Sequence, residues 1–196
     1  DDHDLGANDA GGETVALPER QQVYLDFLGV PASSPRRTRV GVYASHVITH
    51  APTNNKVKVI LLDTRTERSS YVVPSMGAWM QGTFANKLFA LASAALRLGS
   101  AYSGLTAWDD ARSRRRVLGE KQWTWLEEQL QSSDAAVHVI VSSVQVLTST
   151  PTVESWGHFP TERTRLLGVL KRTRPRGLVV LSGDVHIGEL LAVSPR

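Results

Sequence analysis

"GLVVLSGDVHIGEL", residues 177–190, decides the reading of the fold. The apolar run Leu178, Val179, Val180 and Leu181 gives way at Gly183 to a carboxylate, Asp184, and then to an imidazole, His186. A short apolar run bounded by polar residues predicts a buried strand over 177–184, and Gly183 allows the backbone to turn where the strand ends. A further strand is expected over 187–193. Asp184 and His186 could both ligate a hard or borderline cation. Equally, Asp184 could cap the following turn with His186 paired to it, and these residues alone do not separate the two readings.

Working outward, "FPTERTRLLGVLKR" (159–172) predicts a helix with Pro160 at its start, and "AVHVIVSS" (136–143) predicts a strand. "LGEKQWTWLEEQLQSS" (118–133) places Trp123, Leu126 and Leu130 on one helical face. "VKVILLD" (57–63) reads as a buried strand, "TRVGVYASHVI" (38–48) as an alternating one, and "PERQQVYLDFLGV" (18–30) as a helix opened by Pro18. Residues 1–20 otherwise read as loop. Helices alternating with strands favour an α/β layered architecture. Three strands end on polar groups: Asp63 with Arg65, Ser142 with Ser143, and Asp184 with His186. Ligands gather beyond the carboxyl ends of strands in such sheets, so these groups could share one site. The pattern loosens between about 66 and 117, and residues 74–117 are expected to form an insertion in a single domain spanning 1–196.

Composition narrows the chemistry. At 196 residues and a mean hydropathy of -0.17, the chain is long enough for one globular core. It has no Cys, so disulfides, thiolate metal sites and cysteine nucleophiles are excluded, and any metal must be held by Asp, Glu, Asn or the 6 His. A net charge of +3, a pI of 9.4 and the clusters "RSRRR" (112–116) and "KRTRPR" (171–176) make a basic surface that attracts anions. Aromatic residues do not interleave with these clusters, which disfavours a specific nucleic-acid interface. The most apolar stretch, "LFALASAALRLG" (88–99), is too short for a transmembrane span.

The densest ionisable segment is "DDHDLGANDAGG" (1–12), which reads as a solvated acidic loop or as a ligand set. Arg65 could clamp a phosphate oxygen with its planar fork or make an ion pair with Asp63 or a nearby Glu, and the ion pair is the favoured reading. Trp123 and Trp156 read as core residues rather than substrate platforms. His158 stays ambiguous. His46, His50 and His138 read as strand or loop residues for which the pattern names no partner.

Taken in order, "DDHDLGANDAG", "YLDFLGVP", "RRTRVGVYAS", "VKVILLDTR", "LGEKQWTWLEEQL", "IVSSVQVL", "ESWGHFPTERTRLL" and "LSGDVHIGEL" resemble the PhoD-type alkaline phosphatase family, especially its eukaryotic PhoD-like branch. The resemblance implies a calcineurin-like metallophosphoesterase fold, a four-layer α-β-β-α sandwich of mixed sheets with metals at one edge. It also implies that the first strand and its acidic metal motifs lie upstream of residue 1, so that the fold here is incomplete at its N-terminus. The implied activity is hydrolysis of phosphate mono- or diesters by metal-activated water, on a small-molecule or lipid phosphate ester. By the same resemblance Asp2 is a metal ligand, His3 a catalytic group at the phosphate, Asp4 its orienting partner, and Asp184 and His186 further ligands. Where the superfamily usually has a ligating His, this chain has "VSSVQ" (141–145), which leaves iron, calcium, manganese and zinc all open as the metal. No Gly-x-Ser-x-Gly occurs, which separates the chain from the DDHD-domain phospholipases. The alternative is an inactive fragment that binds an anionic ligand or a partner. A secretory or extracellular setting is the expectation for localisation.

Overall fold

The computed structural model describes residues 2–79, 83–102, 115–148, 150, 152–184 and 186–192. Its centre is a four-stranded mixed sheet in the order β1-β2-β3-β4. Strands β1 (Ala44–His50) and β2 (Asn55–Leu61) form an antiparallel hairpin, with Asn54 in a left-handed conformation at its turn. β3 (Val137–Ser142) lies parallel to β2, and β4 (Leu178–Ser182) parallel to β3. Parallel neighbours require crossovers. The first contains helices α3 (Phe84–Tyr102) and α4 (Glu120–Gln131), the second α5 (Pro160–Thr173). The short α1 (Asp2–Leu5) and α2 (Leu17–Phe27) precede the sheet.

The two faces of the sheet differ. On one, Ile60 and Ile140 are buried with Leu126 and Leu130 of α4 and Leu166 and Val169 of α5, while Trp123 and Trp156 meet edge to face with ring centroids 6.2 Å apart. Period-two alternation puts Val59, Val139 and Val179 in one row of the other face and Leu61, Val141 and Leu181 in the next. No described element covers that face at β4, where Val179 is 46% and Leu181 50% exposed.

Glu162 locks the helical layer. One of its carboxylate oxygens, Oε2, accepts from the amides of Val117 at 2.9 Å and Leu118 at 3.1 Å and from Trp123 Nε1 at 3.2 Å. Outside this buried knot, Arg165 makes a bidentate pair with Glu120 at 2.7 and 2.8 Å and stacks over Trp123.

Several expectations are corrected. Residues 187–192 contain no strand, because the chain leaves the sheet at Ser182 and continues as coil. The strand expected over 38–48 starts only at Ala44, since Gly41 has φ +87 and bends the chain just before it. Residues 2–5 are helical rather than loop. His138 does have partners: buried in β3, its ring bridges Arg176 O and Ser133 Oγ, each at 2.8 Å, and so ties β3 to the turns beside it. Trp123 and Trp156 are core residues, as the sequence indicated.

Replacing Glu162 by Ala leaves two buried amides and an indole N–H without their acceptor. We expect a loss of about 2–4 kcal/mol in urea unfolding, with part of it restored in Glu162→Gln. An unchanged midpoint for Glu162→Ala would show that the three bonds contribute nothing to holding α5 on α4.

Candidate metal centre

The site is built from the end of β2. Gln122 of α4 reads the backbone of Asp63 in both directions, accepting from its N–H at 2.8 Å and donating to its carbonyl at 2.9 Å. The Asp63 carboxylate then caps the turn, accepting from the amides of Arg65 and Thr66 at 3.0 and 2.8 Å, from Thr66 Oγ1 at 2.6 Å and from Val42 N at 2.9 Å. Asp63 therefore shapes the loop instead of pairing with the Arg65 side chain. The turn sends that side chain inward, where Arg65 is only 4% exposed.

Around the guanidinium lie carboxylates from three distant parts of the chain. Nη1 is 2.6 Å from Glu154 Oε2, while Nη2 is 3.9 Å from Asp2 Oδ1 and 4.0 Å from Asp184 Oδ2. Arg68 adds a second buried cation, with Nη2 3.5 Å from Glu154 Oε1 and bonded to Asp9 O. Candidate ligand atoms of Asp2, Asp9 and Glu154 lie within 4.8 Å of one another. Asp2 and Asp184, separated by almost the whole sequence, thus face the same cation.

Electrostatics separate these acids. Burial pushes the Asp2 carboxyl up, but the amides of Asp9 and His3, at 2.8 and 2.9 Å, and the Arg65 charge outweigh it and hold the group below the ordinary value. Asp184 moves the other way, raised by burial and then by the charge of Asp2, with Arg65 offsetting only part. Burial raises Glu154 to about 7 in spite of Arg65.

Of the residues picked from sequence, Asp2, Arg65 and Asp184 come together, whereas His3, Asp4 and His186 are exposed around them. Asp184 and His186 line a cavity of about 520 Å³ together with Gln145, Ser182 and Glu189. Gln145 donates to Glu189 at 3.0 Å. Ser142 is occupied structurally, donating to Val144 O at 2.6 Å and accepting from Trp156 Nε1 at 3.0 Å, and Ser143 meets the Thr64 hydroxyl. Sequence reasoning missed Asp9 and Glu154, although both stand inside the stretches "GANDAG" and "ESWGHF". His158 belongs to a separate polar pocket, within 2.9 Å of Arg97 Nη1 and 2.7 Å of Val153 O.

Comparison with known proteins gives three matches. The model of the PhoD-like phosphatase family matches residues 22–195. Alkaline phosphatase D of Bacillus subtilis (strain 168) is 31% identical over 87 residues, covering 40% of this chain and 15% of that protein. A solved structure of PhoD superposes on 95% of this chain and 33% of its own, with a TM-score of 0.57 at 22% identity. The chain therefore corresponds to a minor part of the length of both relatives.

Arg65 is the cation on which the acids converge. We expect Arg65→Met to destabilise the fold by about 3–5 kcal/mol at pH 8, the usual effect of stripping one partner from a buried pair. A carboxyl raised in the folded state keeps its proton when the unfolded chain has lost it, so stability falls as pH rises from the ordinary 4.5 through about 7. Without Arg65 the folded carboxyl keeps its proton to still higher pH, so the penalty should hold steady below about 7 and grow as pH rises above it. A loss independent of pH would show that Glu154 is not the group left uncompensated.

Proposed function

The chain belongs to the PhoD-like phosphatase family, and from that premise we propose that it carries a metal-dependent phosphoesterase site acting on small-molecule or lipid phosphate mono- or diesters. The observation that carries this reading is the placement of Asp2 and Asp184 at 3.9 and 4.0 Å from one guanidinium nitrogen, beside the cavity that His186 lines. The donor set suits a hard or borderline cation: carboxylate oxygens with one imidazole at their rim. Asp184 is pushed up by burial and by the charge of Asp2, and a cation beside the two would reverse that shift. We assign Asp2, Asp184 and His186 as the residues that would hold it. Iron, calcium, manganese or zinc bound there would supply Lewis acidity towards water and towards the phosphoryl oxygens.

The chain's own groups divide the remaining work. Arg65 is clamped by Glu154 through Nη1 and presents Nη2 towards Asp184, so in this reading it fixes the orientation of a phosphoryl oxygen. His3, exposed next to the buried Asp2, protonates the departing alkoxide, and Asp4 holds its orientation. Residues 74–117 are read as an insertion that shapes access for the substrate. We also infer that the open face of the sheet is covered in a calcineurin-like sandwich by a second sheet, and that the protein acts in a secretory or extracellular setting.

A second reading, an inactive protein that binds an anion, draws on one observation. Arg65 and Arg68 already set two cations among Asp2, Asp9 and Glu154, as they would in a site that no longer needs metal.

Metal content and phosphate release measured together separate the two. We expect Asp184→Asn and His186→Ala each to lower bound metal and activity in parallel, and unchanged metal in both variants would remove these ligands from the proposal. For His3→Ala, alkyl phosphate esters should suffer far more than nitrophenyl esters, whose leaving groups need no proton. Equal losses on both would take the acid role away from His3.

A further inference from the structure

We propose that the cavity between α3 and the start of α5 is a second anion site, built to take a phosphate group and separate from the metal centre. The cavity measures about 270 Å³ and is lined by Arg97, Arg115, Arg163, His158 and Tyr71, with Ser100, Thr150 and Ser155 supplying hydroxyls. None of its described lining residues is an Asp or Glu, and none of them lines the cavity at Asp184. The guanidiniums of Arg97, Arg115 and Arg163 offer several N–H groups to an anion within one small space.

Each wall is fixed in place by other contacts. Arg97 reaches back from α3 to donate to Val73 O at 3.0 and 2.6 Å, and it stacks 4.9 Å over the Tyr71 ring. Arg163 is held by a 2.7 Å bond from Nη2 to Leu147 O, and Arg115 lies 5.7 Å over the ring of Phe159. Pro160 and Arg163 belong to the first turn of α5, so the positive end of a 14-residue helix also faces the cavity. His158 adds no charge of its own, because burial and then Arg97 hold it neutral, down to about 4.

Two buried donors lack acceptors. Among the described residues, neither the Tyr71 hydroxyl nor Arg163 Nε has a hydrogen-bond partner. Buried donors are rarely left so. Burial, and after it the charge of the neighbouring Glu154, raise Tyr71 well above its ordinary value, so the hydroxyl keeps its proton and remains a donor. A tetrahedral dianion with several acceptor oxygens matches a set of guanidinium and hydroxyl donors better than a two-oxygen carboxylate does. The phosphate group could be free inorganic phosphate or the head of an ester.

Calorimetric titration of the whole chain, with chelator present to silence the metal centre, tests the assignment with inorganic phosphate in one arm and phenyl phosphate in the other. Binding in either arm supports the site, and the arm that binds names the source. Asp184→Asn should bind as the wild type does. Arg163→Gln should bind at least about tenfold more weakly and Arg163→Lys fall between, as expected for a charge-assisted bond. Should Arg163→Gln fail to fold, Tyr71→Phe removes only a hydroxyl and should weaken binding about fivefold, the value of one neutral hydrogen bond. No binding of either probe by the wild type, wild-type affinity in Arg163→Gln or Tyr71→Phe, or loss confined to Asp184→Asn would each overturn the proposal. These outcomes are independent of metal content, so the site can fail while the phosphoesterase reading stands, and the reverse.

Discussion

A guanidinium taken out of water must find its counter-charges in the protein, and Arg65 imposes that requirement on three segments at once. Glu154 meets it at 2.6 Å, and Asp2 and Asp184 stand near 4 Å. The loop holding Arg65 is set by Asp63, which is itself held by Gln122 of α4. Packing of α4 on the sheet is thereby coupled to the geometry of the acids. A change in the helical layer far from the acids can misplace Arg65 without touching any charged group.

The helical layer is correspondingly heavily bonded. Glu162 collects three N–H groups with one oxygen, and Arg165 and Arg172 of α5 pair with Glu120 and Glu127 of α4 across its surface. On β2, β3 and β4 the opposite face carries Val and Leu in rows, without described cover at β4. Among the described residues, no helix is long and apolar enough to cross a membrane.

Much of this was legible in the residues. The apolar runs at 57–63, 136–143 and 177–184 became β2, β3 and β4, and the face of Trp123, Leu126 and Leu130 became the buried side of α4. Family membership was legible too, from the order of modest motifs. The expectation that polar strand ends meet rests on sheet geometry and needs no knowledge of partners, and Arg65 and Asp184 do lie 4.0 Å apart. Glu154 and Asp9 could not be found in that way. Each matters through a contact made across more than fifty residues, and neither sits on a periodic element. His138 escaped for the same reason, its partners lying in two turns that strand alternation does not describe. The apolar spacing of 187–193 suggested a strand, but a strand needs a neighbour to bond, and β4 ends at Ser182.

The backbone at Asp184 has φ +79 and that at His186 φ +55, both in the region that favours glycine. A side chain at such a position opposes folding by roughly 1 kcal/mol relative to glycine. Thermodynamic drift at these two positions therefore runs against the carboxylate and the imidazole. Glycine at either position would relieve that cost but lose the carboxylate or the imidazole, so both side chains are carried against the preference of their own backbone.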